Sequence, residues 1–94
     1  MILVGQDKID AFVKRNAQAR EPMQAWVAEV KHAQWKTPQD IKNRYRSADF
    51  LKNNRVIFNV KGNSYRLVAK VAYQTAVVFV EWMGTHAQYD KKKF

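Results

Sequence analysis

A histidine and a tyrosine stand three residues apart near the end of this 94-residue chain, in the segment GTHAQYDKKKF. The imidazole of His86 can take up and release a proton at neutral pH, because an unperturbed histidine titrates near pH ~6.5. The phenol of Tyr89 can donate a proton or stack on a planar group. Three lysines follow at once: Lys91, Lys92 and Lys93. The segment therefore combines proton chemistry with positive charge.

A second group of polar side chains lies on a predicted β-hairpin whose strands are joined by a two-residue turn at 62–63, Gly-Asn. Glycine at the first central position suits a type II′ turn, and such a turn fixes the register of the two strands. One side of the hairpin then holds apolar residues, and the other holds Arg55, Asn59, Lys61, Arg66 and Lys70. Ile57 and Val68 share this basic side, so the division is incomplete.

The predicted register produces two cross-strand pairs of interest on the basic side. Asn59 faces Arg66, and Arg55 faces Lys70. Like charges that face each other cost up to about 1 kcal/mol. Two explanations remain open for the second pair. Both side chains lie in water, with Glu81 near them on the next strand, or a phosphate or acidic partner fills the space between them.

The composition indicates one globular domain over residues 1–94 with an affinity for polyanions. Hydrophobic residues make up 47% of the chain, enough for a core, and the net charge is +9. A field of this sign favours nucleic acid, an acidic protein or an acidic membrane surface. The chain has no cysteine, which excludes disulfides and thiolate metal sites. The longest apolar run, residues 76–80, is far too short to cross a membrane, so we expect a cytoplasmic protein.

The elements that position these side chains begin with helices. Residues 1–5 predict a short buried strand closed by glycine, and Asp7 is expected to cap the first helix. A second helix begins at Glu21-Pro22, because proline is tolerated in a first turn. Residues 37–40, Thr-Pro-Gln-Asp, predict a capping box for a short third helix, and a loop is expected over 47–54.

The pattern then changes to the period of two that is typical of strands, in residues 55–61, 64–73 and 77–83. The predicted fold class is α+β: an N-terminal strand, two to three helices on one face of the sheet, and a three-stranded antiparallel meander. We expect Gly84 to end the last strand and turn the chain. His86 and Tyr89 would then meet the basic side of the hairpin. The alternative is that both side chains only cap and pack, while the lysines form a solvated tail.

Three segments together resemble the HigB-type toxins of bacterial toxin–antitoxin systems, in the RelE/ParE superfamily. They are WVAEVKHAQWKTPQDIKNRY (26–45), FNVKGNSYRLVAK (58–70) and GTHAQYDK (84–91), so the likeness covers nearly the whole chain. The resemblance implies a compact RelE-like fold and cleavage of mRNA, usually on the translating ribosome. It also implies a HigA-type antitoxin as partner. The family pattern falls on Asn59, Asn63, Arg66, His86, Tyr89 and Asp90.

The chemistry that the resemblance implies needs no metal and no cofactor, because RNA carries its own nucleophile in the 2′-hydroxyl. His86 is the candidate for proton transfer, and Arg66 for stabilising the charged phosphorane. Tyr89 is the third candidate catalytic residue. The candidate RNA-binding residues are Arg55, Asn59, Lys61, Lys70, Lys91, Lys92 and Lys93. The acidic residues are scattered, which argues against a two-metal nuclease.

Two other functions remain open on the sequence alone. One is a non-catalytic nucleic-acid-binding module, and the other is a ParE-like inhibitor of DNA gyrase, since one fold can serve several targets. The remaining ring-bearing residues are expected to be structural. His32 is expected to be exposed or to be a helix-cap partner, and Trp26, Trp35 and Trp82 are expected in the core or facing a partner. Asp90 is expected to orient Tyr89 or a backbone amide.

Overall fold

The computed structural model describes residues 1–92, and its elements follow the predicted order with two additions. They are β1 (Ile2–Val4), α1 (Gln6–Arg15), a 3₁₀ turn (Ala17–Ala19), α2 (Arg20–His32), α3 (Pro38–Arg44), β2 (Asp49–Phe50), β3 (Arg55–Val60), β4 (Tyr65–Ala72), β5 (Val77–Thr85) and α4 (His86–Asp90). Besides the 3₁₀ turn, the two additions are the strand β2 and the helix α4. No helix in this part of the chain is both long enough and apolar enough to cross a membrane.

The sheet has the strand order β1-β5-β4-β3-β2. The predicted meander β3-β4-β5 forms its centre with antiparallel pairing, and β1 pairs with β5 in parallel. The helices connect β1 to the meander, which is why β1 and β5 can run in the same direction. The predicted α+β fold class is confirmed.

The core lies between one face of the sheet and helices α1 to α3. Phe58 is at its centre, with its ring centroid 5.3 Å from those of Trp26 and Tyr45 and 6.1 Å from that of Trp35. Trp26 and Trp35 are buried, as predicted. Each aromatic pair stabilises the fold by about 0.5–1.5 kcal/mol beyond the area it buries. We call this side of the sheet the core face and the opposite side the outer face.

Two predictions about helix starts have different outcomes. The capping box of α3 is confirmed, since the Thr37 hydroxyl accepts from the Asp40 N–H and the Asp40 carboxylate accepts from the Thr37 N–H. The prediction that Asp7 caps α1 is wrong. The helix begins two residues earlier than that cap would require, at Gln6, directly after Gly5, whose φ of 88° turns the chain out of β1. A Cβ at Gly5 would lie 2.6 Å from the Val80 carbonyl oxygen, so only glycine fits there.

The prediction that β1 is buried is also wrong. Ile2 is 62% exposed and Val4 38% exposed, whereas Leu3 packs against the core. The strand lies at the edge of the sheet, and alternate side chains of a strand point to opposite faces. Only Leu3 therefore points to the core face.

The predicted loop over 47–54 contains the short strand β2, which pairs with β3 through Asp49–Ile57 and Phe50–Val56. Asn53 and Asn54 then reverse the chain with φ angles of 63° and 60°. Asparagine is among the residues that tolerate this left-handed conformation.

The predicted hairpin register is confirmed, with Arg55 paired to Lys70, Ile57 to Val68 and Asn59 to Arg66. The connecting turn is closed by the Ser64 N–H, which donates to the Lys61 carbonyl at 3.1 Å. Lys61 has a positive φ of 53° in addition to that of Gly62, so the reversal begins one residue before the predicted turn.

Candidate active site

Strand β5 continues past the predicted strand end, through Gly84 to Thr85. Gly84 therefore does not turn the chain, and that prediction is wrong. It lies opposite Arg66 in the β4–β5 ladder. A Cβ at this position would come within 2.5 Å of Trp82 Cζ2 and 2.7 Å of Gln88 Oε1. Glycine is needed here for space, because the Trp82 ring and the Gln88 side chain cross the position that a side chain would occupy.

Helix α4 begins directly after β5 and is held by a capping box. The Thr85 hydroxyl accepts from the Gln88 N–H at 3.1 Å, and Gln88 Oε1 accepts from the Thr85 N–H at 2.9 Å. The His86 N–H donates to the Ser64 carbonyl at 3.2 Å. The helix start is thus tied both to its own strand and to the β3–β4 turn. The T-x-x-Q pattern of 85–88 is the sequence signal that would have predicted this helix.

Arg66 and Tyr89, both predicted site residues, are in contact on the outer face. The guanidinium carbon of Arg66 lies 4.6 Å from the centroid of the Tyr89 ring. The Tyr89 ring lies 6.0 Å from that of Trp82, centroid to centroid, and Lys92 Nζ is 5.9 Å from the Trp82 ring. The two neighbouring rings therefore lie between two cations, with Arg66 against Tyr89 and Lys92 near Trp82. Trp82, which the sequence placed in the core or against a partner, is a half-buried member of this site.

Asn59 fixes the other side of the Arg66 guanidinium. Arg66 Nε donates to Asn59 Oδ1 at 3.2 Å, and Asn59 Nδ2 donates to the Ser47 carbonyl at 2.8 Å. The guanidinium is thus held by an amide on one side and a ring on the other. The hydrogen bond to Asn59 uses only Nε of Arg66. The two terminal nitrogens of the guanidinium are therefore not needed to hold the side chain in place.

His86 lies on the same short helix as Tyr89, three residues earlier, and residues at this spacing share a helix face. Its side chain is 35% exposed, so a substrate can reach it. The Nδ1 atom is 3.7 Å from Asp90 Oδ2. Asp90, expected to orient Tyr89 or a backbone amide, lies beside the imidazole.

The like-charged pair of Arg55 and Lys70 is explained by Glu81. Arg55 Nε donates to Glu81 Oε1 at 2.8 Å, and this bond raises the pKa of Arg55. A β-bulge brings Glu81 to the outer face, because the ladder passes from Val68–Trp82 to Ala69–Val80 and leaves Glu81 unpaired between them. The Glu81 carboxylate therefore offsets the repulsion between the two cations.

The remaining predicted RNA-binding lysines are spread over the molecule. Lys61 Nζ donates to Gln18 Oε1 at 3.0 Å and so reaches toward the helices. Lys70 is exposed on the outer face, and Lys91 is exposed at the end of α4. Lys92 lies over Trp82, whereas Lys93 lies outside the described residues. The structure therefore groups Arg66, Tyr89, Asn59 and Lys92, places His86 on the same short helix as Tyr89, and shows Lys61 reaching away toward the helices.

The fold and this cluster define a small, basic α+β protein in which a guanidinium on the outer face of the sheet contacts a phenol, and the helix that carries the phenol also carries an imidazole. A family model, the HigB toxin, described as a RelE-like toxic component of a toxin–antitoxin system, matches residues 19–92. The mRNA interferase toxin HigB of Escherichia coli strain K12 is 26% identical over 92 residues, which cover 96% of this chain and 88% of that protein. The mRNA interferase HigB of Shigella flexneri matches with the same identity and coverage. The chain belongs to the HigB family of RelE-like toxins.

Proposed function

We propose that this chain is an endoribonuclease toxin that cleaves mRNA on the translating ribosome and is held inactive by its HigA-type antitoxin in the cytoplasm. The main observation behind the proposal is the contact between the Arg66 guanidinium and the Tyr89 ring. Tyr89 lies on the same short helix as His86. The names of the relatives, which are mRNA interferases, support the same activity.

The proposed reaction is an internal displacement at one phosphate of the message. The 2′-oxygen attacks phosphorus and the bond from phosphorus to the 5′-oxygen breaks, which leaves a 2′,3′-cyclic phosphate and a free 5′-hydroxyl. One proton must leave the 2′-oxygen and another must reach the departing 5′-oxygen. No metal or cofactor takes part in this scheme.

Arg66 is the group that we assign to the phosphate. Its planar set of donors keeps its charge at every stage of the reaction, and a guanidinium already held by Asn59 and Tyr89 needs little rearrangement when charge develops on the phosphorane. Preorganised donors of this kind are worth roughly 10²–10³ in rate.

We assign His86 to accept the proton of the 2′-hydroxyl, because its imidazole is accessible and shares a helix with Tyr89. Tyr89 has two possible contributions: its hydroxyl donates a proton to the 5′-oxygen, or its ring supports Arg66 and a base of the message. A Tyr89→Phe variant separates them, since phenylalanine keeps the ring and loses the hydroxyl.

The exposed lysines would bind the RNA backbone without selecting its sequence. Lys92 and Lys70 lie on or beside the outer face and are the better placed for this role. Arg55 is expected to contribute less, because an RNA phosphate would have to replace the Glu81 carboxylate at 2.8 Å. Because the chain has so few catalytic groups, the ribosome would position the message for cleavage.

A message with a single 2′-deoxynucleotide at the cleavage position tests the proposed chemistry. The purified chain is added to a reconstituted translation reaction, and the cut is mapped on the normal and the deoxy-substituted message. We expect the normal message to be cut with a 5′-hydroxyl on the downstream fragment, and the substituted one to stay whole at that position. A cut that persists in the deoxy message, or a downstream fragment with a 5′-phosphate, would contradict the mechanism. A gyrase inhibitor or a binding module would cut neither message.

A further inference from the structure

Three large apolar side chains are exposed side by side on the outer face, at the β1–β5 edge of the sheet. Ile2 is 62% exposed, Val4 38% and Phe79 48%. Val4 is the ladder partner of Phe79, and Ile2 is the partner of Val77, which is partly exposed. We call Ile2, Val4, Val77 and Phe79 the β1–β5 patch.

This patch is not explained by the fold. The neighbours of its members along β1 and β5, such as Leu3 and Val78, already face the core. Among residues 1–92, the other exposed large apolar residue is Phe50, on β2 at the opposite edge of the sheet. Apolar side chains that are grouped rather than scattered mark a surface that another molecule covers.

The charge around the patch indicates what kind of molecule that is. Lys70 is exposed and is the ladder partner of Phe79 on the side that leads toward Arg66. The chain as a whole has a net charge of +9. A complementary partner therefore has apolar side chains for the patch and acidic residues for the neighbouring lysine. An RNA strand has no aliphatic side chains to cover Ile2 and Val4.

We infer that the β1–β5 patch is an anchoring surface for the antitoxin, through an apolar segment flanked by acidic residues. The family is described as the toxic component of a toxin–antitoxin system, so the partner to which we assign the patch is the antitoxin. The patch and the pair Arg66–Tyr89 lie on the same face of the sheet, separated along β4 and β5 by Lys70 and Trp82. An antitoxin anchored there extends toward the candidate active site. This inference rests on the proposed function in one respect only, the identity of the partner as the antitoxin.

The test is antitoxin affinity, measured by titration calorimetry, for a chain carrying Ile2→Thr and Phe79→Thr together. Threonine is tolerated in strands, so the sheet is kept while the apolar surface is lost. We expect the dissociation constant to rise roughly tenfold to a hundredfold, as for the loss of buried apolar anchors in an interface. Phe50→Thr is the matched control, with an exposed apolar residue removed at the other edge, and should change affinity less than about twofold.

Cleavage of mRNA is measured on the same variants without antitoxin, which separates this inference from the proposed function. We expect wild-type cleavage from the double variant, which also shows that it is folded. An unchanged antitoxin affinity in the double variant would overturn the inference, whether or not the wild type cuts RNA. A second result would also overturn it. In that case the wild-type chain alone forms a dimer in sedimentation experiments, and the double variant no longer dimerises but binds the antitoxin with unchanged affinity. A second copy would then be the occupant of the patch.

Discussion

Replacing Gly84 with alanine should damage the candidate active site far more than the fold. The added methyl carbon would lie 2.5 and 2.6 Å from two carbons of the Trp82 ring and 2.7 Å from Gln88 Oε1. Carbon atoms in contact normally keep about 3.5–4.0 Å apart. The Trp82 ring must therefore retreat by roughly 1 Å, and it is the ring next to Tyr89.

The expected magnitudes follow from these contacts. Overpacking costs about 1–3 kcal/mol, and we expect the lower half of that range because the half-buried Trp82 ring has room to move outward. The Gln88 side chain is displaced from the capping box as well, so Tyr89 and His86 both move with α4. A displacement of about 1 Å in a positioned group can lower the rate about 100-fold.

Gly62→Ala is the matched control for Gly84→Ala. A Cβ at Gly62 meets nothing within 4 Å, but its φ of 62° makes alanine strained, by about 1–2 kcal/mol. Urea denaturation gives the free energy of unfolding of both variants, and mRNA cleavage in a translation reaction gives their rates. We expect similar losses of stability and a loss of cleavage confined to Gly84→Ala. Equal cleavage by the two variants would refute the assignment of the Trp82–Tyr89 contact to the active site.

Three further variants test the capping box of α4, the guanidinium assigned to the RNA phosphate, and the half-buried phenol of Tyr45. Thr85→Ala should lower the free energy of unfolding by about 1 kcal/mol and also slow cleavage, and Thr85→Ser should restore both. Arg66→Lys should slow cleavage about 100-fold, because lysine lacks the planar fork, while urea denaturation shows a loss below about 1 kcal/mol. Burial, with the neighbouring Glu29 carboxylate, raises the pKa of Tyr45 from the ordinary 10.0. The unfolded chain then loses this proton first, so the stability that is present below about pH 10 falls as the pH rises further. Tyr45→Phe should flatten this fall, measured by urea denaturation between about pH 9 and 11.5.

Each of these variants has an outcome that counts against the account. A fully active Thr85→Ala would mean that α4 does not position the reacting groups. If the Arg66→Lys chain cut at the wild-type rate, Arg66 would contribute only its positive charge, and its planar set of donors would not matter for cleavage. An alkaline fall in stability that is equally steep in Tyr45→Phe and in wild type would mean that this phenol ionises equally in the folded and the unfolded chain.

The parts of the fold that the sequence could predict are those set by short-range rules. The Gly62-Asn63 turn was enough to pair Asn59 with Arg66, because a short turn leaves one register. The Thr37–Asp40 pattern was enough to start α3, because both partners of a capping box are visible in four residues.

The parts that could not be predicted depend on contacts between distant segments. The pairing of Glu81 with Arg55 requires the β-bulge in β5, and nothing near Glu81 in the sequence signals a bulge. The strand β2 has two residues, too few to show a period of two. Gly84 suggested a turn, since glycine often marks one, whereas its function is to leave room for Trp82. The same long-range packing brings Trp82 out of the core and next to Tyr89.

The most direct test of the central claim is mRNA cleavage, mapped by primer extension, after induction of the chain in cells that lack the antitoxin. Wild type is compared with His86→Ala and with His32→Ala. His32 is the other histidine of the chain and is exposed on α2, so its removal controls for the loss of an imidazole. We predict that wild type and His32→Ala cut translated messages and arrest growth, and that His86→Ala does neither. Growth arrest by all three chains with no cut message would contradict the account.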